Sequence, residues 1–306
     1  MKRYIIITLI LWLLLPLPAL PQWPGLGWTS SVPDLTHPLL KQLVHWWRPV
    51  PGLIGGNKFY DLMPGSLTHL VLTNMGYSAT SGWSGATRRT SLAQLTFNGT
   101  TDYTTGGTQD TFTTDTQPLS LCVWLRPVTI LTGTQLVIGG MDGSNAQQGI
   151  GFFYALSGSN PKFVLGDTGG FYKSVRWSTG SWQFTAGVWE HWCLIYTAAT
   201  QGTSDMAMYV NGDAQTLSSE SSYAFFYPYP LTPWNIGGAC CVTPGWYFNG
   251  AVDEAMVWRR ALSDLEVRRV YETTQTGSVA FFTTPLPSVM RGPAVGNPAQ
   301  FFPFFR

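Results

Sequence analysis

The segment from Gly250 to Tyr271 restricts the fold more than any other part of this chain. It reads Gly-Ala-Val-Asp-Glu-Ala-Met-Val-Trp-Arg-Arg-Ala-Leu-Ser-Asp-Leu-Glu-Val-Arg-Arg-Val-Tyr. In its first part Val252, Met256 and Trp258 share one parity with Glu254, while Ala251, Ala255 and Val257 share the other with Asp253. Successive side chains of a strand point to opposite faces, so both faces of this one are largely apolar and both need covering. Such a strand belongs inside a layered structure, and regular alternation sets Asp253 and Glu254 on opposite sides. The second part starts a helix. Ser263 with Glu266 three residues on forms a capping box, and Leu262 before the cap with Val267 in the first turn supplies the hydrophobic staple.

The rest of the chain supplies strands for those layers. Leu119-Ser-Leu-Cys-Val-Trp-Leu-Arg126 alternates strictly, with Leu119, Leu121, Val123 and Leu125 on one face. Leu43 to Arg48, Leu70 to Asn74, Gln135 to Gly140, Ile150 to Leu156, Lys162 to Leu165, Tyr172 to Trp177, Trp189 to Tyr196 and Met206 to Val210 read as further strands with turn residues between them. Asn98-Gly99 between alternating apolar residues signals a tight turn. In 306 residues, 33 Gly, 21 Pro and 14% aromatic side chains suit many turns and flat apolar packing better than a helical bundle.

Net charge is +1 with only 11% charged residues, which gives no basic stripe for nucleic acid. His37, His45, His69 and His191 are scattered without metal-ligand spacing and read as structural. Residues 1–21 read as a signal peptide or N-terminal anchor: Lys2 and Arg3 precede the apolar run Tyr4 to Leu15, which Pro16 and Pro18 close before Ala19. That run is short for a bilayer span, so export is expected, with a membrane contact only if the segment stays uncleaved. Residues 22–39 are Trp-, Pro- and Gly-rich and read as a linker. The pattern of strands and helix fills 40–272. Residues 273–306 form a Pro/Phe-rich tail ending Phe301-Phe-Pro-Phe-Phe-Arg306, which reads as a flexible tail, with docking of its apolar rings on the sandwich or on a partner chain as the sharper alternative.

Several motifs carry a resemblance. Trp46-Trp47, Tyr60-Asp61, Leu70-Val71-Leu72-Thr73-Asn74, Leu95-Thr96-Phe97-Asn98-Gly99-Thr100-Thr101-Asp102-Tyr103, Trp189-Glu-His-Trp-Cys193, Met206 to Gly212 and the Arg260-Ala-Leu-Ser263 approach to a capped helix occur in this order. The set resembles laminin-G-like and pentraxin-like domains of the concanavalin A-like lectin/glucanase superfamily. The resemblance implies an all-β fold: a two-sheet antiparallel jelly-roll sandwich, concanavalin A-like, with one short C-terminal helix.

Four cysteines allow three pairings. Pentraxins bridge two strands similar to those holding Cys122 and Cys193, so the resemblance implies a Cys122–Cys193 disulfide. Cys240-Cys241 is then left to a vicinal bridge, for which Gly237, Gly238 and Ala239 supply uncrowded backbone, or to a bond between chains. Many relatives hold Ca²⁺ at one end of the sandwich. Here the segment Ile236 to Cys241, matching part of the pentraxin site, lacks a carboxylate, while Asp142 and Asn145, with Gln147, could supply the other part. A polar hairpin without an ion is the simpler reading of the same residues.

Glucanases of the superfamily set carboxylates at alternate positions of one strand. None of Glu190, Glu220, Glu254, Glu266 and Glu272 stands in a Glu-x-Asp-x-Glu arrangement, and no phosphate loop, dinucleotide fingerprint or nucleophile elbow is present. Binding is therefore expected rather than catalysis. Flat aromatic rings match the C–H face of a pyranose. The loop candidates are Phe171, Tyr172, Trp182, Trp246 and Tyr247, with Phe226 and Tyr229, while Trp46, Trp124, Trp189 and Trp258 lie in strands and read as core. The expected protein is a secreted, non-catalytic module for a glycan or another cell-surface ligand. The alternative is an assembly subunit of a cell surface or virion, self-associating through its tail.

Overall fold

The computed structural model describes residues 33–49, 56–64, 66, 68–85, 93–106, 116–129, 134–141, 149–155, 160–166, 172–177, 185–222, 233–238, 246–276 and 281. These lie within the compact unit Val32–Thr283. Their strands form an antiparallel sandwich with one C-terminal helix.

The larger sheet has the order β14 (Asp213–Ala214), β13 (Met206–Val210), β12 (Glu190–Tyr196), β7 (Leu119–Pro127), β17 (Asn249–Trp258), β5 (Ala93–Asn98) and β4 (Gly82–Gly85), with β1 (Leu43–Trp47) also paired to β17. The facing sheet runs β15 (Leu217–Ser222), β11 (Tyr172–Trp177), β10 (Lys162–Gly166), β9 (Gly149–Ala155), β8 (Gln135–Met141) and β16 (Asn235–Ile236). A third sheet joins β2 (Lys58–Phe59), β3 (Leu70–Thr73) and β6 (Tyr103–Thr105). Two backbone groups link it to the second: Ile236 N donates to Thr104 Oγ1 and Gly106 N to the Trp234 carbonyl.

The alternation in β7 does what its spacing predicts. Leu119, Leu121, Val123 and Leu125 enter the core between the sheets, beside Trp192, Leu194 and Tyr196 of β12. The opposite face of β7 is buried as well, because Cys122 joins a second cluster with Cys193, Trp46, Met256, Trp258 and the helix residues Val267 and Val270. Cys122 and Cys193 face each other across the β7–β12 ladder, 4.1 Å apart at Cα, and form a disulfide.

The helix α1 (Asp264–Thr276) lies over that second cluster. Ser263 N donates to Glu266 Oε2 and Glu266 N to Ser263 Oγ, closing the capping box, while Leu262 and Val267 are buried as its staple. At the other end Trp124 Nε1 donates to Thr274 Oγ1 at 2.8 Å, tying the helix to the sheet.

Three features depart from the sequence reading. In β17 the register shifts between Asp253 and Ala255, and Glu254 has φ of +42°. This bulge breaks the expected parity: Val252 enters the inner core with Ala255 and Val257, while Met256 and Trp258 turn to the helix side. Trp189, read as core, is half-buried just ahead of β12, its ring 5.7 Å from the Arg126 guanidinium. The fold also extends beyond 40–272. Leu39 is buried, the helix continues to Thr276, and Phe281 packs into the second cluster.

Candidate functional site

The third sheet turns an unusual face outward. In β6, Thr104 points inward and accepts a hydrogen bond from Ile236 N at 2.8 Å, which sends Tyr103 and Thr105 to the outside. Direct ladder partners share a face, so Thr73, opposite Tyr103, and Val71, opposite Thr105 and Lys58, also face outward. Leu70, Leu72 and Phe59 fill the core behind them.

The turn before Tyr103, which carries the chain from β5 of the large sheet to β6 of the third, is held by its own side chains. Asn98 Oδ1 accepts the N–H groups of Thr100 and Thr101 at 2.9 Å and of Asp102 at 3.2 Å, and Asp102 Oδ2 accepts Asn98 N at 3.0 Å. Asn98 Nδ2 donates to Thr101 Oγ1, so the amide of this Asn-Gly-Thr sequence is engaged in the turn.

Tyr247 stands beside Tyr103, ring centroids 6.3 Å apart and tilted by 49°. Gly238 lies between them: a Cβ there would come within 3.1 Å of Tyr103 Cβ and 3.2 Å of Tyr247 Cδ1. The missing side chain lets the two rings flank bare backbone. Burial, and then the neighbouring Tyr103 phenol, push the Tyr247 hydroxyl above its ordinary pKa, so it stays a protonated donor at neutral pH. Trp246 follows, with φ of +59°, over Leu136, Phe153 and Val164 on the outer face of the second sheet, its ring 5.7 Å from Phe153. Its carbonyl accepts Leu136 N and the next N–H, of Phe248, donates to Gly237 O. Trp246, Tyr247 and Tyr103 are all half-buried. Tyr103 shares its outward face with Thr73, Thr105, Val71 and Lys58.

Of the residues expected from sequence, this site unites Trp246 and Tyr247. Tyr172 begins β11 opposite Gly166, at the other end of the second sheet from Leu136 and Trp246, and only its backbone is described. Phe171, Trp182, Phe226, Tyr229, Asp142, Asn145, Cys240 and Cys241 lie outside the described residues. Sequence reasoning missed Tyr103, because Tyr-Thr-Thr carries no apolar residue to mark the inward side.

The carboxylates behave differently. The bulge corrects the expectation that Asp253 and Glu254 face opposite ways. Asp253 is opposite Trp124, whose ring packs toward Tyr271 of the helix, and Glu254 Oε1 lies 3.6 Å from Arg48 Nε, whose guanidinium sits by Trp46 of the helix-side cluster. Both carboxylates are therefore buried on the helix side of β17. Glu190 sits at the start of β12, accepting Trp192 Nε1 at 2.8 Å and the Tyr154 hydroxyl at 3.4 Å. Burial raises its pKa and outweighs both hydrogen bonds. Asp61 has the opposite balance: burial opposes its charge, yet hydrogen bonds from His45, Ser66 and Trp46 N hold its pKa below the ordinary carboxylate value. These groups knit Tyr60-Asp61 to β1. The nitrogens of His191 approach the sulfurs of Cys122 and Cys193 to within 4.8 Å, but the disulfide leaves no thiolate there for a metal.

The sandwich, its capped closing helix and the cross-strand disulfide define a lectin-type β-fold. Residues 98–268 match the family of the concanavalin A-like lectin/glucanases superfamily, and the chain belongs to it. No curated protein sequence matches the chain. Among solved structures, it is similar to the binding domain of Paraclostridial Mosquitocidal Protein 1 (15% identity, 77% of this chain and 53% of that one, TM-score 0.54). It is also similar to domain 4 of AbnA, a GH43 extracellular arabinanase from Geobacillus stearothermophilus, in complex with arabinotriose (15% identity, 75% of this chain and 98% of that one, TM-score 0.51). A third is the botulinum neurotoxin serotype D ligand binding domain in complex with N-acetylneuraminic acid (13% identity, 76% and 50%, TM-score 0.51). The chain spans about half the length of the mosquitocidal and neurotoxin domains. At these identities the likeness is one of fold.

Proposed function

We propose that the chain is an exported, non-catalytic carbohydrate-binding module whose sugar lies along Tyr103, Tyr247 and Trp246. The observation that carries this reading is the outward pair of tyrosines flanking Gly238, with the hydroxyls of Thr73 and Thr105 on the same face. An apolar sugar face stacks on the rings while its edge hydroxyls exchange hydrogen bonds with threonine and tyrosine, a division of labour common to carbohydrate sites. The arabinotriose and N-acetylneuraminic acid held by two similar domains support a saccharide as the ligand class. The disulfide supports an oxidising, extracellular location. Absence of chemistry is supported by the carboxylates: Asp253 and Glu254 are buried on the helix side of the large sheet, away from the aromatic row.

The test is a glycan array with the exported chain, with and without calcium, beside Tyr103→Ala and Tyr247→Ala variants. Loss of one stacked ring should weaken an array-positive glycan about two- to tenfold, corresponding to roughly 0.5–1.5 kcal/mol per aromatic contact. An array without hits, or full binding by both variants with unchanged melting, defeats the proposal. A calcium-dependent signal would instead direct attention to Asp142 and Asn145.

A further inference from the structure

Arg126 is a half-buried cation without an anion. Its neighbour Leu125 enters the inner core, so Arg126 points with Trp124 to the opposite, outer face of the large sheet. Among the described residues no oxygen accepts a hydrogen bond from its guanidinium, and its Nε is buried. The Trp189 ring lies against it, 5.7 Å away, placed there because the next residue, Glu190, pairs with Leu125. Asp253 lies one row further in, opposite Trp124, and no ion pair joins it to Arg126. Burial lowers the Arg126 pKa and no neighbouring acid opposes the shift, yet a guanidinium starts so high that it stays charged at neutral pH. A partly desolvated cation of this kind costs the fold stability, and stacking on one indole offsets only part of the loss.

The surroundings of Arg126 are neutral and open on one side. Ala251 pairs with it across β17, and Asn249 lies one row further out on the same face. Val128 N donates to the Asn249 carbonyl, and Gly187 N to the Pro127 carbonyl, which brings Val128 and Val188 to the same end of the sheet. Val128 is 49% and Val188 47% exposed, while Asn249 is half-buried. A cation, a carboxamide and two exposed apolar side chains are thus gathered at one end of the outer face.

We propose that this end of the outer face binds the carboxylate of an acidic saccharide, a uronic or sialic acid residue, with Arg126 as the group that pairs with it. The planar fork of a guanidinium matches a carboxylate through two parallel hydrogen bonds. The Asn249 carboxamide offers a donor and an acceptor for ring hydroxyls, and the valines offer apolar contact for the C–H face of the sugar. An acidic peptide fits less well. Extended peptides are held by adding to a free strand edge, and β7 has both its edges paired, to β12 and to β17. The proposal rests on the reading of the chain as a carbohydrate-binding module, but not on the tyrosine site.

The test measures calorimetric binding of the exported chain to trigalacturonate and to sialyllactose, each beside its methyl ester, which keeps the ring and removes the charge. At least one acid should bind on the order of tenfold more tightly than its ester, and added salt should shrink that margin. Arg126→Gln should erase the margin without lowering the melting temperature, and Arg126→Lys, which keeps the charge but not the fork, should retain part of it. Tyr103→Ala should leave the ratio of acid to ester unchanged, so failure of the tyrosine site and failure of this one read out separately. A check that needs no variant is the Arg126 Nε–Hε resonance of the wild type, which should move on adding the acid and not on adding the ester. Equal affinities for acids and esters, a margin that survives Arg126→Gln, or an unmoved Nε–Hε resonance overturns the proposal. So does an Arg126-dependent response to a glutamate-rich peptide with none to either acid, which would assign the cation to an acidic protein partner.

Discussion

Replacing Asp61 by alanine removes a carboxylate that anchors the first strand to the loop after it. Its Oδ1 accepts Trp46 N and Met63 N, each at 3.0 Å, and its Oδ2 accepts His45 Nδ1 at 2.7 Å and the Ser66 hydroxyl. His45 and Trp46 are fully buried, so in the variant their N–H groups lose an acceptor that water cannot replace. An orphaned buried donor costs about 1–3 kcal/mol. The hydrogen bonds of Met63 and Ser66, nearer the surface, add little, and the two orphaned donors together come to roughly 2–6 kcal/mol. Urea unfolding followed by tryptophan fluorescence at pH 7 should show this as a lower midpoint with an unchanged slope. The effect has a pH signature. Because the folded-state pKa of Asp61 is depressed, its contribution is present above the unfolded value and is lost as pH falls through the folded one. The gap between wild type and Asp61→Ala should therefore narrow in acid. A loss under about 1 kcal/mol at pH 7 would refute the network as a stabilising unit, and a gap that persists unchanged in strong acid would refute its electrostatic origin.

Three further outcomes follow from the same structure. Glu190→Gln keeps an oxygen for Trp192 Nε1 and removes a charge that burial disfavours; with the folded pKa raised, wild-type stability is fully present below the unfolded value and is lost as pH rises, so the variant should melt higher at pH 8 and equally at pH 4. Gly237→Ala should abolish folding, since φ is +84° and the new Cβ would lie within the Phe97 ring, whereas Gly238→Ala should fold but spread Tyr103 and Tyr247, lowering glycan affinity without lowering the melting temperature; equal melting of the two alanine variants would contradict this. Cys122→Ala/Cys193→Ala opens a loop of 71 residues and should cost about 4 kcal/mol, visible as a loss of the wild-type response to reductant in chemical unfolding.

The sequence disclosed the fold wherever local rules and tertiary packing agree. Strict alternation in Leu119–Arg126, the Ser263–Glu266 box and the Asn98-Gly99 turn each became what their spacing implies, because the groups involved are satisfied by near neighbours. The bulge at Glu254 was hidden, since an unbroken apolar run gives no sign that one residue will adopt a positive φ and shift the register. The candidate site was half visible. Trp246 and Tyr247 stand out as aromatics next to a Gly-rich stretch, but Tyr103 becomes a neighbour only because Thr104 is drawn inward by Ile236 N, a residue 132 positions away. Likewise nothing local marks Phe281 as core; its place depends on Asp34, Trp46 and His37 across the whole length of the fold.

The most direct test of the sugar-binding account is backbone amide mapping by NMR of the exported chain titrated with an array-positive glycan. Shifts should concentrate at Thr73, Tyr103, Gly238, Trp246 and Tyr247, and should disappear in Tyr103→Ala/Tyr247→Ala while that variant stays folded. Shifts confined to the β10–β11 end near Tyr172, or to the helix side of the large sheet around Asp253, with none at Gly238, would contradict it.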